Sequence, residues 1–373
     1  MAEDEDEIGS EAEEAPPEIP EPRANPELFG HEAAEAALLR AFNSGRLPHA
    51  WLLTGLRGIG KATLAYRFAR FLLAEGDPRT KAPVLFAAAP PATLAVASEH
   101  PAFRLVAARA HPDLMVVERG LDPKRRRQRR EIVAEEARGV ADFLHLTSSQ
   151  GGWRVVIVDG ADLMNVHAAN GLLKILEEPP QRTVLLLVSD NPGRLLPTIR
   201  SRCRSLALKP LPESVIITLL QRFISDISDI DRTTLAGLAE GSIGRALELA
   251  ANGGLTIYQR VINLLRTLPR LDAVALHELA EECARPSGDR FDLLAELLCG
   301  AVARLVAQGA GPGGAGPPAE AELLRRLAGG RSLDQWVEVW EKLTHLFAQA
   351  DGINLDRKQV VLNAFFALEQ AAR

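Results

Sequence analysis

A glycine-rich segment, Gly55–Thr63 (GLRGIGKAT), constrains this chain more than any other part of its sequence. It lies between an apolar run, Ala50–Thr54, and an apolar-periodic stretch that predicts a helix from Lys61 to about Ala74. Glycines let backbone amides wrap a phosphate, the helix N-terminus adds positive potential, and the lysine neutralises the β and γ oxygens. The order of strand, glycine loop and helix therefore predicts a P-loop. The residues expected to hold phosphate are Gly55, Gly58, Gly60 and Lys61.

The residue after the P-loop lysine departs from the usual pattern. Serine or threonine ligates Mg²⁺ at this place, and this chain has Ala62. Thr63 stays a candidate for nucleotide binding but does not obviously replace the missing ligand, because successive helix residues point about 100° apart. We therefore expect a phosphate loop without an intact set of Mg²⁺ ligands, and the sequence does not decide whether Mg²⁺ binds.

A second site element follows the apolar run Val155–Val158, which ends in Asp159. An acidic residue at the end of such a strand normally helps to hold Mg²⁺, and the next residue of many ATPases is a glutamate that polarises the attacking water. Here that place is Gly160, which has no side chain for base chemistry. Asp162 is more simply interpreted as a residue that starts or caps a turn than as a displaced base. We expect little hydrolysis and weakened nucleotide binding.

Further apolar runs predict a buried parallel sheet. They are Leu114–Val117, Val155–Val158 and Val184–Val188, and helical stretches separate them. Continuous apolar runs of this kind are typical of parallel strands covered on both faces. Beyond Leu211 only helical patterns remain. The predicted organisation is an acidic disordered tail (1–25), a P-loop nucleotide-fold domain (26–210), a small helical domain (211–255) and a larger helical domain (256–373).

Charge is unevenly distributed along the chain. The net charge is −6, but residues 1–22 hold ten acidic side chains and no basic one, which leaves 39 acidic and 43 basic residues elsewhere. The acidic, proline-containing tail should not fold, and it fits neither a signal peptide nor a transit peptide. The most apolar window, Val84–Ser98, is too short to span a bilayer. We expect a cytoplasmic protein without a membrane segment.

Two arginine-containing segments and one basic run are candidates for anion contacts. Arg202 lies in a short loop after the run Val184–Val188, where an arginine finger would project, although an ordinary surface arginine fits the residues equally well. Arg245 opens a helix in the small helical domain. The run Lys124–Arg130 carries six cations without interleaved aromatic residues, so it favours phosphate contacts over base stacking, and a solvated loop explains it as well.

Four sequence pieces together resemble the bacterial clamp-loader AAA+ subunits over roughly Glu27–Arg373. The pieces are Leu47–Trp51 (LPHAW), Asn170–Pro180 (NGLLKILEEPP), Leu196–Cys203 (LPTIRSRC) and Gly241–Leu247 (GSIGRAL). The glycine loop alone would not be specific, whereas the combination is. The resemblance implies an α/β P-loop AAA+ core with a parallel sheet, a small helical lid, and an all-α C-terminal collar that joins a pentameric ring.

The resemblance also assigns roles to single residues and to partners. It makes Arg202 an arginine finger that reaches ATP on a neighbouring gamma/tau subunit, and it turns Arg245 towards this chain's own nucleotide pocket. It implies gamma/tau and delta subunits, the sliding clamp and primed DNA as partners, without a membrane. Many relatives carry a four-cysteine zinc module in the region corresponding to Glu75–Glu118, where this chain has no cysteine, so zinc is not expected. ATP is expected at most in a weak or degenerate site.

The leading hypothesis is an assembly subunit of a DNA-directed DNA polymerase holoenzyme that helps load the sliding clamp during DNA replication. In this hypothesis the subunit hydrolyses little or no ATP and donates Arg202 to a neighbour. An active clamp-loader ATPase of the gamma/tau type, with Asp162 or Thr63 restoring the chemistry, is the main alternative. A DNA-binding accessory factor that works through Lys124–Arg130 is a third.

Overall fold

The computed structural model describes most of the chain. The described residues are 20–76, 90–122, 127–146, 152–285, 290–311, 316–317, 320–330, 332–353 and 355–373. The acidic tail predicted for residues 1–25 falls mainly on residues 1–19, which lie outside the described residues. Three of the six cations of the basic run, Lys124–Arg126, also lie outside them.

The first part of the described chain contains a five-stranded parallel sheet. Its strands are β1 (Ala50–Thr54), β2 (Leu114–Val117), β5 (Arg154–Asp159), β6 (Thr183–Ser189) and β7 (Arg204–Ala207), and β3 (Leu121–Asp122) and β4 (Arg127–Gln128) form a separate antiparallel ribbon. The spatial order is β2-β5-β6-β1-β7, and every neighbouring pair is parallel. The parallel sheet predicted from the apolar runs is confirmed.

Helices cover both faces of this sheet. They are α1 (Glu32–Asn43), α2 (Lys61–Gly76), α3 (Pro101–Ala107), α4 (Ala134–His145), α5 (Val166–Glu177) and α6 (Pro197–Arg200). Successive side chains of a strand point to opposite faces. In β1, Trp51 and Leu53 enter the core formed with α1, α2 and α3, whereas Ala50 and Leu52 enter the core formed with α4, α5 and α6. Burial on both faces explains why β1 has no polar alternation.

The sequence patterns do not predict strand β7. Its residues are exposed except Leu206, which is half-buried, because β7 is an edge strand that pairs only with β1 in the described sheet. An edge strand buries little and therefore lacks the continuous apolar run that marks the inner strands. At this edge of the sheet the guanidinium of Arg204 lies over the ring of Trp51, 5.3 Å from the ring centre.

The second part of the chain is helical, as predicted. Its helices are α7 (Glu213–Phe223), α8 (Asp229–Leu238), α9 (Ile243–Ala251), α10 (Gly254–Thr267), α11 (Ala273–Ala284), α12 (Arg290–Ala310), α13 (Ala321–Gly329), α14 (Leu333–Ile353) and α15 (Arg357–Ala372). Their buried side chains form one continuous cluster from Leu211 to Leu368. Residues 211–255, called the lid segment below, therefore share their core with the C-terminal helices.

Among the described helices, α12 alone is long and apolar enough to cross a membrane. A core helix passes the same test, and nine side chains of α12 are buried. One of them is Arg304, whose guanidinium pairs with Glu320, and Tyr258 donates its hydroxyl hydrogen to the same carboxylate at 3.1 Å. Arg304 is 7% exposed and Glu320 is 1% exposed, so this ion pair is desolvated.

Removing Glu320 leaves the buried guanidinium of Arg304 with only the partly exposed Glu240, whose Oε1 lies 3.9 Å from Nη1, and a buried charge that loses its main partner is costly. We predict that Glu320→Ala lowers the free energy of unfolding by about 3–5 kcal/mol, measured by urea denaturation. The control is Glu281→Ala, because Glu281 is 67% exposed and pairs with Lys358 at 3.5 Å; this change should cost less than about 1 kcal/mol. Equal effects of the two substitutions would contradict the prediction.

Candidate nucleotide-binding site

The glycine loop follows β1 and takes a backbone conformation that requires glycine. Gly55, Gly58 and Gly60 have φ values of 143°, 76° and 106°. A Cβ atom at Gly58 would lie 2.6 Å from Ser242 Oγ and 2.9 Å from the Cα atom of Gly244. The loop therefore packs backbone to backbone against the start of α9, and no larger residue fits at Gly58.

The carbonyl oxygens of the loop are all hydrogen-bonded within the chain. Lys61 Nζ donates to Gly55 O at 2.9 Å and to Leu56 O at 2.5 Å. From the start of α9, Ser242 Oγ donates to Arg57 O at 2.6 Å and Gly244 N donates to Gly58 O at 2.9 Å. The other two bonds are His31 Nε2 with Ile59 O at 2.6 Å and Leu64 N with Gly60 O at 2.9 Å. Among the described residues, by contrast, no acceptor contacts the backbone N–H groups from Gly58 to Thr63. A row of free N–H groups at a helix N-terminus is an anion-binding arrangement.

Lys61 is already engaged by groups of the chain itself. Its side chain is 3% exposed, and Nζ also forms an ion pair with Asp190 Oδ1 at 2.6 Å. The ammonium has three hydrogens, and two carbonyls and one carboxylate accept them. A phosphate oxygen would have to displace Asp190, which weakens any binding that relies on Lys61.

Three carboxylates lie near the carboxyl edge of the sheet. Glu118 follows β2, Asp159 ends β5, and Asp190 follows β6. Burial, with smaller contributions from Glu118 and Asp190, raises the pKa of Asp159 above its ordinary value, and Lys61 opposes that shift. Nevertheless, no group of three or more His, Cys, Asp or Glu side chains within the described part of the chain is arranged to hold a metal ion. The negative charges of Glu118 and Asp190 thus disfavour ionisation of Asp159, but these three described carboxylates do not form a metal-binding group.

The positions that would support hydrolysis are unsuited to it. Gly160 has a φ of 81°, a conformation that residues with side chains rarely adopt. Both carboxylate oxygens of Asp162 accept backbone N–H groups, from Asp190 at 3.1 Å and from Asn191 at 3.3 Å. Asp162 therefore fixes the turn after β6, which agrees with the structural interpretation of this residue and not with a displaced base.

A cavity of about 440 Å³ adjoins the P-loop. Its walls include Gly58, Gly60, Lys61, Ala62, Thr63, Asp159, Gly160 and Asp190. Apolar side chains also line it: Leu28, Phe29, Leu211, Leu219, Phe223, Ile243 and Leu247. The site thus combines a row of free N–H groups with apolar walls of the kind that a planar base contacts.

Sequence reasoning missed the N-terminal wall of the cavity, which includes Pro20, Pro22, Asn25 and Glu27. Arg70 of α2 holds this segment by donating to Arg23 O at 3.1 Å and to Asn25 O at 2.6 Å. Arg70 is 2% exposed, and burial lowers its pKa to about 10. Its position on the apolar-periodic helix α2 offered no signal for this contact.

Arg202 and Arg245 both lie outside the walls of the cavity. Arg202 is on the loop between α6 and β7, where its side chain is 35% exposed and pairs with Glu177. Arg245 forms ion pairs with Glu240 at 3.3 Å and with Glu296 of α12 at 3.0 Å. This position differs from the expectation that Arg245 faces the chain's own pocket: the two carboxylates draw its guanidinium to the junction with the C-terminal helices.

The parallel sheet, the P-loop after β1 and the helix that follows it define an α/β P-loop domain. A sequence model of the family described as "DNA polymerase III, delta subunit" matches residues 30–212. This similarity covers residues 30–212, just under half of the chain.

Relatives that carry the name DNA polymerase III subunit delta' include those from Pseudomonas aeruginosa and Escherichia coli. The chain is 36% identical to the one from Pseudomonas aeruginosa over 62% of its own length and 65% of the relative. It is 34% identical to the one from Escherichia coli over 57% of each chain. The chain therefore spans less than two thirds of the length of either relative.

More distant relatives include the tau and gamma subunits of DNA polymerase III, at 29% and 27% identity. Among solved structures, a gamma subunit-related protein from Thermotoga maritima is 18% identical, with a TM-score of 0.39, over 90% of this chain and 100% of that chain.

We predict that Arg245→Ala destabilises the junction between the lid segment and the C-terminal helices and leaves nucleotide affinity unchanged. The free energy of unfolding in urea should fall by about 1–2 kcal/mol. Arg290→Ala is the control, because Arg290 is 50% exposed and pairs with Glu282, so its loss should cost less than about 1 kcal/mol. A loss of fluorescent-nucleotide binding by Arg245→Ala without loss of stability would place Arg245 in the pocket after all.

Proposed function

We propose that this chain acts as the delta-prime subunit of a bacterial clamp loader, in the cytoplasm, and helps to place the sliding clamp on primed DNA during replication. Its proposed partners are gamma/tau and delta subunits. The observation that carries the proposal is the combination of a preserved phosphate loop with lost hydrolytic residues, in a chain whose relatives are named delta'. In this proposal the chain is a stator that turns over little or no ATP itself.

Nucleotide binding is proposed to be weak. The residues that would hold ATP are Gly58, Gly60, Lys61, Thr63 and Asp159, which line the cavity, together with Gly55 at the start of the loop, and the base would contact the apolar side chains of the cavity. Two features oppose tight binding: Lys61 is already paired with Asp190, and Ala62 offers no oxygen to Mg²⁺. The free N–H groups of the loop favour an anion nonetheless.

Arg202 is proposed to act in trans, on ATP bound to a gamma/tau neighbour. Its partial exposure and its distance from the walls of the chain's own cavity support this role. A guanidinium keeps its charge and grips phosphate oxygens with a planar set of donors. Arginine fingers of other phosphoryl-transfer systems accelerate the reaction by about 10³–10⁵.

Both alternatives have less support. An active gamma/tau-type ATPase would need a base in place of Gly160, and the oxygens of Asp162 are already bound to backbone N–H groups. A DNA-binding factor that works through Lys124–Arg130 would need free cations, and Arg129 of that run pairs with Glu136 at 3.1 Å. Among the described side chains of the run this leaves Arg130 as an exposed cation, and a single cation is a small basis for binding DNA phosphates.

The proposal is tested with Arg202→Ala in an assembly reconstituted from this chain, gamma/tau and delta. DNA-stimulated ATPase should fall at least about tenfold, because the neighbouring active site loses its finger, and the subunits should still elute together. Arg200→Ala is the matched control, since Arg200 is exposed at the end of α6, two residues before Arg202. Unchanged ATPase in Arg202→Ala would refute the trans role.

The double change Ala62→Thr, Gly160→Glu tests whether the lost residues alone explain low turnover. We predict that it does not produce rapid hydrolysis by the isolated chain, because Gly160 has a left-handed backbone and Lys61 stays bound to Asp190. Phosphate release is the measurement. Turnover of about one per second or faster, within the ordinary range for phosphoryl transfer, would show the prediction to be wrong.

A further inference from the structure

Arg202 is held by two acceptors in the isolated chain. Its Nη2 atom lies 2.7 Å from Glu177 Oε1, and its Nη1 atom donates to Thr198 O at 3.0 Å. A guanidinium has five N–H donors in one plane. Two contacts on different nitrogens therefore fix the plane and leave other donors for a phosphate.

Both acceptors stand on rigid parts of the fold. Thr198 lies in α6, and Arg202 N donates to Ile199 O, so the loop folds back on that helix. Cys203, the next residue, packs against the core between α4, α5 and the sheet, and burial raises its pKa to about 11. Arg202 therefore starts from a fixed backbone.

Glu177 is fixed in a similar way. It is the last residue of α5, whose preceding residues Ile175 and Leu176 are buried. Leu176 O pairs with His49 Nε2 at 3.1 Å, and this contact ties the end of α5 to the residue before β1. Pro179 and Pro180 follow and prevent continuation of the helix. The carboxylate is 50% exposed, so the core does not need it for packing.

We propose that Glu177 is a positioning residue that holds the guanidinium of Arg202 in the orientation in which it meets the phosphates of ATP on the neighbouring subunit. The inference rests on the trans role of Arg202 proposed above. Exposed ion pairs contribute little to the free energy of unfolding. The role we assign to this pair is therefore to orient the guanidinium of Arg202. Misplacement of a reacting group by about 1 Å can cost about 10²-fold in rate, and an arginine with four rotatable side-chain bonds is easily misplaced.

The adjacent glutamate provides a matched control. Glu178 is exposed like Glu177 and carries the same charge, so its replacement changes the net charge equally. An effect confined to Glu177 therefore reports the contact with Arg202 and not the general electrostatic field.

The test compares Glu177→Ala, Glu177→Gln and Glu178→Ala in the reconstituted assembly. We expect Glu177→Ala to lower kcat of the DNA-stimulated ATPase about tenfold with KM for ATP nearly unchanged, because ATP binds on the other subunit. Glu177→Gln keeps an oxygen acceptor and should restore most of the rate, and Glu178→Ala should match the unmodified chain. Co-elution and melting temperature establish that each variant folds and assembles.

The variant Arg202→Ala separates this inference from the proposed function. If Arg202→Ala lowers the ATPase rate and Glu177→Ala does not, the positioning role of Glu177 is refuted and the trans role of Arg202 is supported. If Arg202→Ala has no effect on the ATPase rate, both roles are refuted. In the Arg202→Ala background, Glu177→Ala should cause no further loss; an additional loss, or a rise in rate for Glu177→Ala alone, would overturn the positioning role.

Discussion

The contact between the glycine loop and the start of α9 determines much of what this site can do. Gly58 and Gly244 touch backbone to backbone, and Ser242 and Gly244 bond two carbonyls of the loop. Because these bonds hold the carbonyls, the N–H groups of the loop remain free for an anion. The same contact connects the P-loop to the lid segment, whose core is continuous with that of the C-terminal helices.

A P-loop that is hydrogen-bonded to the start of α9 suits a subunit that does not change conformation. In a hydrolysing subunit, binding and cleavage of ATP would shift the lid relative to the loop. Here Arg245, at the start of the lid helix α9, pairs with Glu296 of α12, and Lys61 is neutralised by Asp190. The chain itself thus satisfies the charge of Lys61, which a nucleotide phosphate would otherwise satisfy, and this agrees with the stator role we propose.

The sequence predicts the features that depend on local patterns. The inner strands carry continuous apolar runs, and the order of strand, glycines and lysine identifies the phosphate loop from a few adjacent residues. Strand β7 is missed because its residues at the sheet edge are mostly exposed. The orientation of Arg245 is missed because its partner Glu296 is distant in the sequence, and the pairing of Lys61 with Asp190 depends on two strand ends that only the folded sheet brings together.

The rate of ATP hydrolysis by the purified chain alone, in the presence of Mg²⁺, tests the central claim most directly. A site that keeps the amides of the phosphate loop but lacks a metal-binding hydroxyl and a base should turn over far less than about once per second, the low end for phosphoryl-transfer enzymes. Metal-dependent turnover at or above that rate would contradict the account.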